Sequence, residues 1–147
     1  MIATRHASAH DLDDVARLRS LARDEARGKK GGELFVSELD AVHDADVAGV
    51  APAPARTTLV GTIGDAVVGY ATVSRTGRVA LVEELYCEAG ARGVGVGDRL
   101  IDAAAELAGG WGCAYLDSVV LPGDRETKNF FEAHGMVSRL LRVSRPL

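Results

Sequence analysis

The spacing of apolar positions alternates between helical and strand periods along the chain. Leu12, Val15, Leu18 and Leu21-Ala22 recur about once per turn and predict a helix. Ser8-Ala9-His10-Asp11 opens it as a capping box, with Ser8 accepting from the first turn and Asp11 at the positive helix end. Gly28-Lys29-Lys30-Gly31-Gly32 stops it, and residues 42–56, with Ala-Pro-Ala-Pro and no steady period, predict a surface loop or mobile segment. From Thr57 the pattern turns to strands: residues 57–63, a Gly64-Asp65 turn, residues 66–73, a Thr76-Gly77 turn, and residues 79–87. Three strands on short turns predict an antiparallel meander. A glycine-rich turn, residues 90–97, leads into a helix over residues 96–108, with Val96, Leu100, Ile101, Ala104 and Leu107 as its buried stripe and Gly109-Gly110 as its end. A strand over residues 113–121, a Pro122-Gly123-Asp124 turn, a helix over residues 125–134 stopped by Gly135, and a last strand over residues 136–143 complete the pattern. The order β-α-βββ-α-β-α-β predicts an α+β fold, a sheet flanked by helices with one strand–helix–strand crossover.

Composition narrows the function classes. At 147 residues the chain fits one domain, residues 1–147, large enough to bury roughly 68–70% of its unfolded surface. Hydrophobic residues at 47% and charged residues at 26% are the balance of a soluble globular domain. A net charge of −4 with no basic stripe argues against a nucleic-acid partner. No apolar run is long enough for a membrane span, and Met1-Ile2-Ala3-Thr4-Arg5-His6 has no apolar signal core, so no membrane partner is expected and the expected address is the cytoplasm. Cys87 and Cys113 are too few for a disulfide framework, and the four histidines show no metal-ligand spacing, so no metal is expected.

Arg92-Gly93-Val94-Gly95-Val96-Gly97 carries the most chemistry. Glycines between a strand and a helix let backbone N–H groups approach a diphosphate, with the positive helix end behind them. A P-loop needs Gly-Lys-Ser/Thr, whereas Asp98-Arg99 follows Gly97 here, and the third glycine of a dinucleotide fingerprint is replaced by Asp98 or Leu100. Arg-x-x-Gly-x-Gly, with Arg92, Gly95 and Gly97 at its defining positions, resembles the diphosphate turn of the GNAT acetyltransferase superfamily. Glu84-Leu85-Tyr86-Cys87 looks like that family's strand before the turn, and Asn129-Phe130-Phe131-Glu132-Ala133-His134-Gly135-Met136 is similar to its later Phe-Tyr-Glu-x-x-Gly-Phe landmark.

The resemblance implies a mixed, mainly antiparallel sheet with a splayed strand pair, and acetyl transfer from acetyl-CoA to an amine of a small molecule or protein. It implies that backbone N–H groups of Gly93, Val94, Gly95, Val96 and Gly97 bind the diphosphate with Arg92 beside them, and that the pantetheine arm lies along Leu85, Tyr86 and Cys87. Phe131 stands where the family often has the tyrosine acid. For the base, Glu84 and Asp117 rank together, then Glu83; strand alternation sends Glu83 and Glu84 to opposite faces, so at most one enters a given cleft. Glu38, Asp40, Asp44 and Asp46 offer an attraction for a cationic acceptor. A homodimer through the sheet edge or last strand suits such an architecture. Two rival readings are a non-catalytic acyl-CoA-sensing domain, which Phe131 suggests, and a structural interaction domain with an empty turn.

Overall fold

The computed structural model describes residues 1–48 and 56–147. The strands are β1 (Ile2–His6), β2 (Arg56–Ile63), β3 (Ala66–Thr76), β4 (Val79–Cys87) and β5 (Tyr115–Ser118). The helices are α1 (Leu12–Arg27), α2 (Gly32–Ala48), α3 (Val96–Gly110) and α4 (Arg125–Ala133). The strands lie side by side in chain order, antiparallel except for the parallel β4–β5 pair that α3 connects. This is the expected mixed, mainly antiparallel α+β sheet.

The two sheet faces are covered by different helices. Ala71, Val73, Ala80 and Val82 point toward α3 and meet Leu100, Ile101 and Ala104. Val60, Val67 and Tyr70 point the other way and meet Val15 and Leu18 of α1. Leu18 and Leu100 are fully buried, each contributing about 1.5–3 kcal/mol by leaving water. The close seating of α3 depends on Gly61, where a Cβ atom would stand 2.6 Å from the Val96 side chain.

Several elements depart from the expected pattern for local reasons. The capping box closes a 3₁₀ turn, Ala9–Asp11, and α1 begins at Leu12. The Asp11 carboxylate accepts from the Ser8 N–H (2.7 Å) and also from the Ser8 hydroxyl (3.2 Å). Arg5 reaches both Asp11 oxygens and, with Ser8, holds this carboxyl well below the usual carboxylate range. Val15 and Leu18 are buried as expected, whereas Leu12 and Leu21 are exposed. The expected loop at 42–56 is helical up to Ala48, since proline enters only at Pro52; residues 49–55 lie outside the described part. Glu38 and Asp40 each pair with an arginine, and the side chains of Asp44 and Asp46 lie outside the described part.

The second half shows three further corrections. α3 continues through Gly109-Gly110, with Trp111 N–H still bonded to Leu107, and stops at Gly112 with φ 80°. β5 is shorter than expected because Cys113 N–H is tied back to Ala108, and the chain leaves β4 after Ser118. The expected last strand is not there: residues 136–147 join no ladder. Its apolar positions find no covering layer, so Leu140, Leu141 and Val143 are exposed, and its arginines reach out to Asp117 and Glu38.

Candidate active site

The site grows from two irregularities in β4. Opposite β3, Thr72 pairs with Glu84 and Val73 with Val82, so Glu83 is an extra residue in the ladder. The bulge turns Glu83 and Glu84 to the same side of the sheet, correcting the expectation of opposite faces. Both line one cavity of about 410 Å³. On its other edge β4 pairs with β5 only from Val79↔Tyr115 to Val82↔Ser118. The Ser118 hydroxyl donates to the Val82 carbonyl at 2.9 Å and closes that ladder. Beyond it, residues 83–87 have no strand neighbour on the β5 side among the described residues, and the cavity opens into the gap.

One end of the cavity is built from backbone. Gly93 and Gly95 hold φ values of 81° and 101°, and Gly95 is the N-cap of α3. Arg99 N–H donates the first helical bond to Gly95 at 3.1 Å, so the N–H groups of Val96, Gly97 and Asp98 remain at the open helix end. Arg92 Nε donates to the Cys87 carbonyl (2.9 Å), its guanidinium lies 5.3 Å from the Tyr86 ring centroid, and Nη2 donates to Glu25 of α1 (2.8 Å). Arg92, Gly93, Gly95, Val96 and Gly97 line the cavity, together with Leu85, Tyr86 and Cys87; the Val94 side chain points to solvent. This end is a cradle of donors beside one guanidinium, with an N-terminal helix dipole behind it, and fits a diphosphate. Burial pushes the Cys87 thiol up to about 11, which leaves it a poor nucleophile at neutral pH.

The other end is built from side chains. Phe35, Val36 and Leu39 of α2 supply an apolar wall. Glu84, 11% exposed, accepts from Arg23 (2.9 Å) and from the Tyr70 hydroxyl (2.7 Å), with Arg19 at 3.7 Å. Arg23 also donates to Asp40 of α2 (2.7 Å), and Arg56 donates to Glu83 (2.9 Å). Burial, then the Glu84 charge, pushes the Tyr70 phenol far up, so it stays protonated. Asp117 does not line the cavity; it accepts from Arg139 of the C-terminal segment. Of the three carboxylates expected as bases, the structure brings together Glu83 and Glu84 and leaves Asp117 apart.

Phe131 is buried in the α4 wall of the cavity, where no hydroxyl replaces it. Of the hydroxyl side chains lining the cavity, Tyr70 donates to Glu84, Ser118 to Val82 and Thr127 to Asp124. Tyr86 is the fourth, beneath Arg92, and burial raises its phenol. Among the described residues no three His, Cys, Asp or Glu side chains converge as a metal site. Sequence reasoning missed Arg23, Glu25, Lys29 and Tyr70, whose roles come from tertiary contacts. The inward-facing Phe35, Val36 and Leu39, at i, i+1 and i+4, left a helical signal that was readable before the structure.

A layered sheet with one parallel pair that parts beside a glycine turn, and a cleft running from that turn to paired carboxylates, describes an acyl-transfer scaffold. The sequence profile of the acetyltransferase (GNAT) family matches residues 15–136, and the chain belongs to that family. Solved structures agree on the fold. The enzyme AAC(6')-Iy, in complex with the bisubstrate analogue CoA-S-monomethyl-acetylneamine, superposes with a TM-score of 0.70 at 16% identity, covering 100% of this chain and 99% of that one. A possible acetyltransferase from Clostridium difficile 630 gives 0.71 at 17% identity, covering 100% and 97%. A transcriptional regulator from Bacillus halodurans C-125 gives 0.70 at 19% identity, covering 100% of both. At such identities the likeness establishes the fold. Among the described residues, no helix is long and apolar enough to cross a membrane.

Proposed function

We propose that residues 1–147 form one acetyltransferase domain that moves the acetyl group of acetyl-CoA to the amine of a small molecule or protein. The observation that carries this reading is the positive-φ glycine turn at the open N-terminus of α3, beside the unpaired edge of residues 83–87. Acetyl-CoA supplies an acetyl thioester, and the diphosphate is the anion that the turn and Arg92 receive. The free edge of β4 supports a pantetheine arm lying as a short added strand, with a backbone N–H near Tyr86 or Cys87 polarising the carbonyl. The amine reaches this point across the apolar α2 wall and gives its proton, directly or through water, to Glu83 or Glu84, the carboxylates on the cavity. In this reading Tyr86, a phenol lining the cavity, returns a proton to the departing thiolate, a role that Phe131 lacks the hydroxyl to fill.

Thermal unfolding with acetyl-CoA, ATP and NAD tests the first half of this reading. At 100 times its dissociation constant a ligand adds about 2.7 kcal/mol, several degrees at this size, and only acetyl-CoA is expected to give it. Thiol release with a panel of amines tests the second half; unchanged turnover in both Glu83→Ala and Glu84→Ala would reject the base assignment. Phe131 supports one other reading, a domain that binds acyl-CoA without turnover, which predicts the thermal shift and no thiol release with any amine.

A further inference from the structure

Arg92 already holds an anion of the protein's own. Glu25, near the end of α1, accepts from Arg92 Nη2 at 2.8 Å. In the turn just after α1, Lys29 stands 4.0 Å from Glu25 and 2.8 Å from Asp124, the N-cap of α4. Charges therefore alternate across the glycine-turn end of the cavity as Arg92, Glu25, Lys29, Asp124, tying α1 to the turn and to α4. All four residues line the cavity. Burial alone would raise the Asp124 carboxyl, but hydrogen bonds from Lys29 and Thr127 outweigh it and hold it below its ordinary value. Two residues before Glu25, Arg23 of the same helix grips Glu84 at the opposite end.

A diphosphate seated on the turn brings negative charge to the place where Glu25 now meets Arg92. Two anions cannot share one guanidinium there without repulsion, and Lys29, four residues after Glu25 in the turn that follows α1, is a cation already 4.0 Å from it. We propose that Glu25 is an internal competitor for the coenzyme diphosphate: it occupies Arg92 in the free protein and passes to Lys29 when the coenzyme binds. Glu25 thus sets the coenzyme affinity, and its transfer reports coenzyme binding to α1, the helix that also positions Glu84. This inference rests on the coenzyme reading above.

The test is calorimetric titration at low salt with acetyl-CoA and with S-acetylpantetheine, which lacks the diphosphate. Glu25→Gln is expected to bind acetyl-CoA two- to five-fold more tightly than the unaltered protein, the range an exposed ion pair is worth, and to leave the S-acetylpantetheine affinity unchanged. On an Arg92→Gln background the gain should shrink, because the contact that Glu25 competes for has gone. A residue that merely supports the fold would weaken binding when altered, so the sign is diagnostic. Unchanged or weaker acetyl-CoA binding in Glu25→Gln overturns the proposal, as does equal tightening toward both probes. No acetyl-CoA binding by the unaltered protein instead rejects the coenzyme reading itself, and the inference with it.

Discussion

The two ends of the cavity are made in different ways. At the glycine turn the useful groups are main-chain donors, fixed by φ values that only glycine adopts easily and by the start of α3. At the α2 end they are side chains held by partners distant in sequence: Arg23 on Glu84, Arg56 on Glu83, Tyr70 on Glu84. A site made of backbone tolerates change in side-chain identity and fails when its geometry fails. A site made of paired charges tolerates change in backbone context and fails when one partner leaves. The first design suits an invariant ligand, and the second lets related chains vary what they accept.

Breaking the backbone end should give the largest effect. Gly95 has φ 101°, so Gly95→Val strains the turn by about 1–2 kcal/mol and displaces its backbone donors. Acetyl-CoA affinity is expected to fall by about a hundredfold or more, measured by calorimetry, with the circular dichroism spectrum retained. Normal binding would mean that the turn serves geometry alone.

The side-chain end should respond through stability first. Removing Glu84 leaves Arg23 and the Tyr70 hydroxyl without their shared acceptor, so Glu84→Ala is expected to cost about 2–3 kcal/mol in urea unfolding. Glu84→Gln keeps an acceptor for Tyr70 and should cost less. Equal stability in all three proteins would show that the network adds little and that the two ends do not differ as described.

Alkaline titration probes the boundary between the ends, at Cys87. Its folded pKa of about 11 lies above the ordinary thiol range, so the folded protein holds that proton more tightly than the unfolded chain. The contribution is fully present below the unfolded value and is lost as pH rises through about 11. At pH 8 Cys87 should therefore alkylate far more slowly than a free thiol, with acetyl-CoA slowing it further. Fast alkylation in the free protein would contradict the raised thiol of this half-buried side chain.

The smallest change belongs outside both ends. Arg142 meets Glu38 at 3.3 Å with its side chain 79% exposed, so Arg142→Ala should alter stability by less than about 0.5 kcal/mol.

The same division explains what was legible beforehand. The strand pattern of residues 57–87, the glycine turn and the crossover through α3 follow from local periodicity and turn chemistry, and the structure has them where the spacing put them. Arg92, Gly95 and Gly97 stood out because backbone geometry leaves its mark in glycine. The bulge at Glu83 leaves no such mark: it is a mismatch between two strands and is invisible in either one, so Glu83 and Glu84 were expected on opposite faces. Asp117 looked equal to Glu84 because both are strand carboxylates; only the tertiary fold gives one to the cavity and the other to Arg139. The apolar-rich run after Gly135 reads as a strand, but a strand needs a neighbour, and β5 ends at Ser118. The helical residues of 42–48 were masked by the prolines that follow them.

The central claim is that the turn before α3 receives the coenzyme diphosphate while residues 83–87 receive its arm. Amide chemical-shift mapping of the isotope-labelled protein during an acetyl-CoA titration tests this most directly. The account predicts the largest shifts at residues 93–98 and 83–87, saturating together, with Gly95→Val abolishing both sets. Saturable binding whose shifts lie elsewhere, with these amides unmoved, would contradict it.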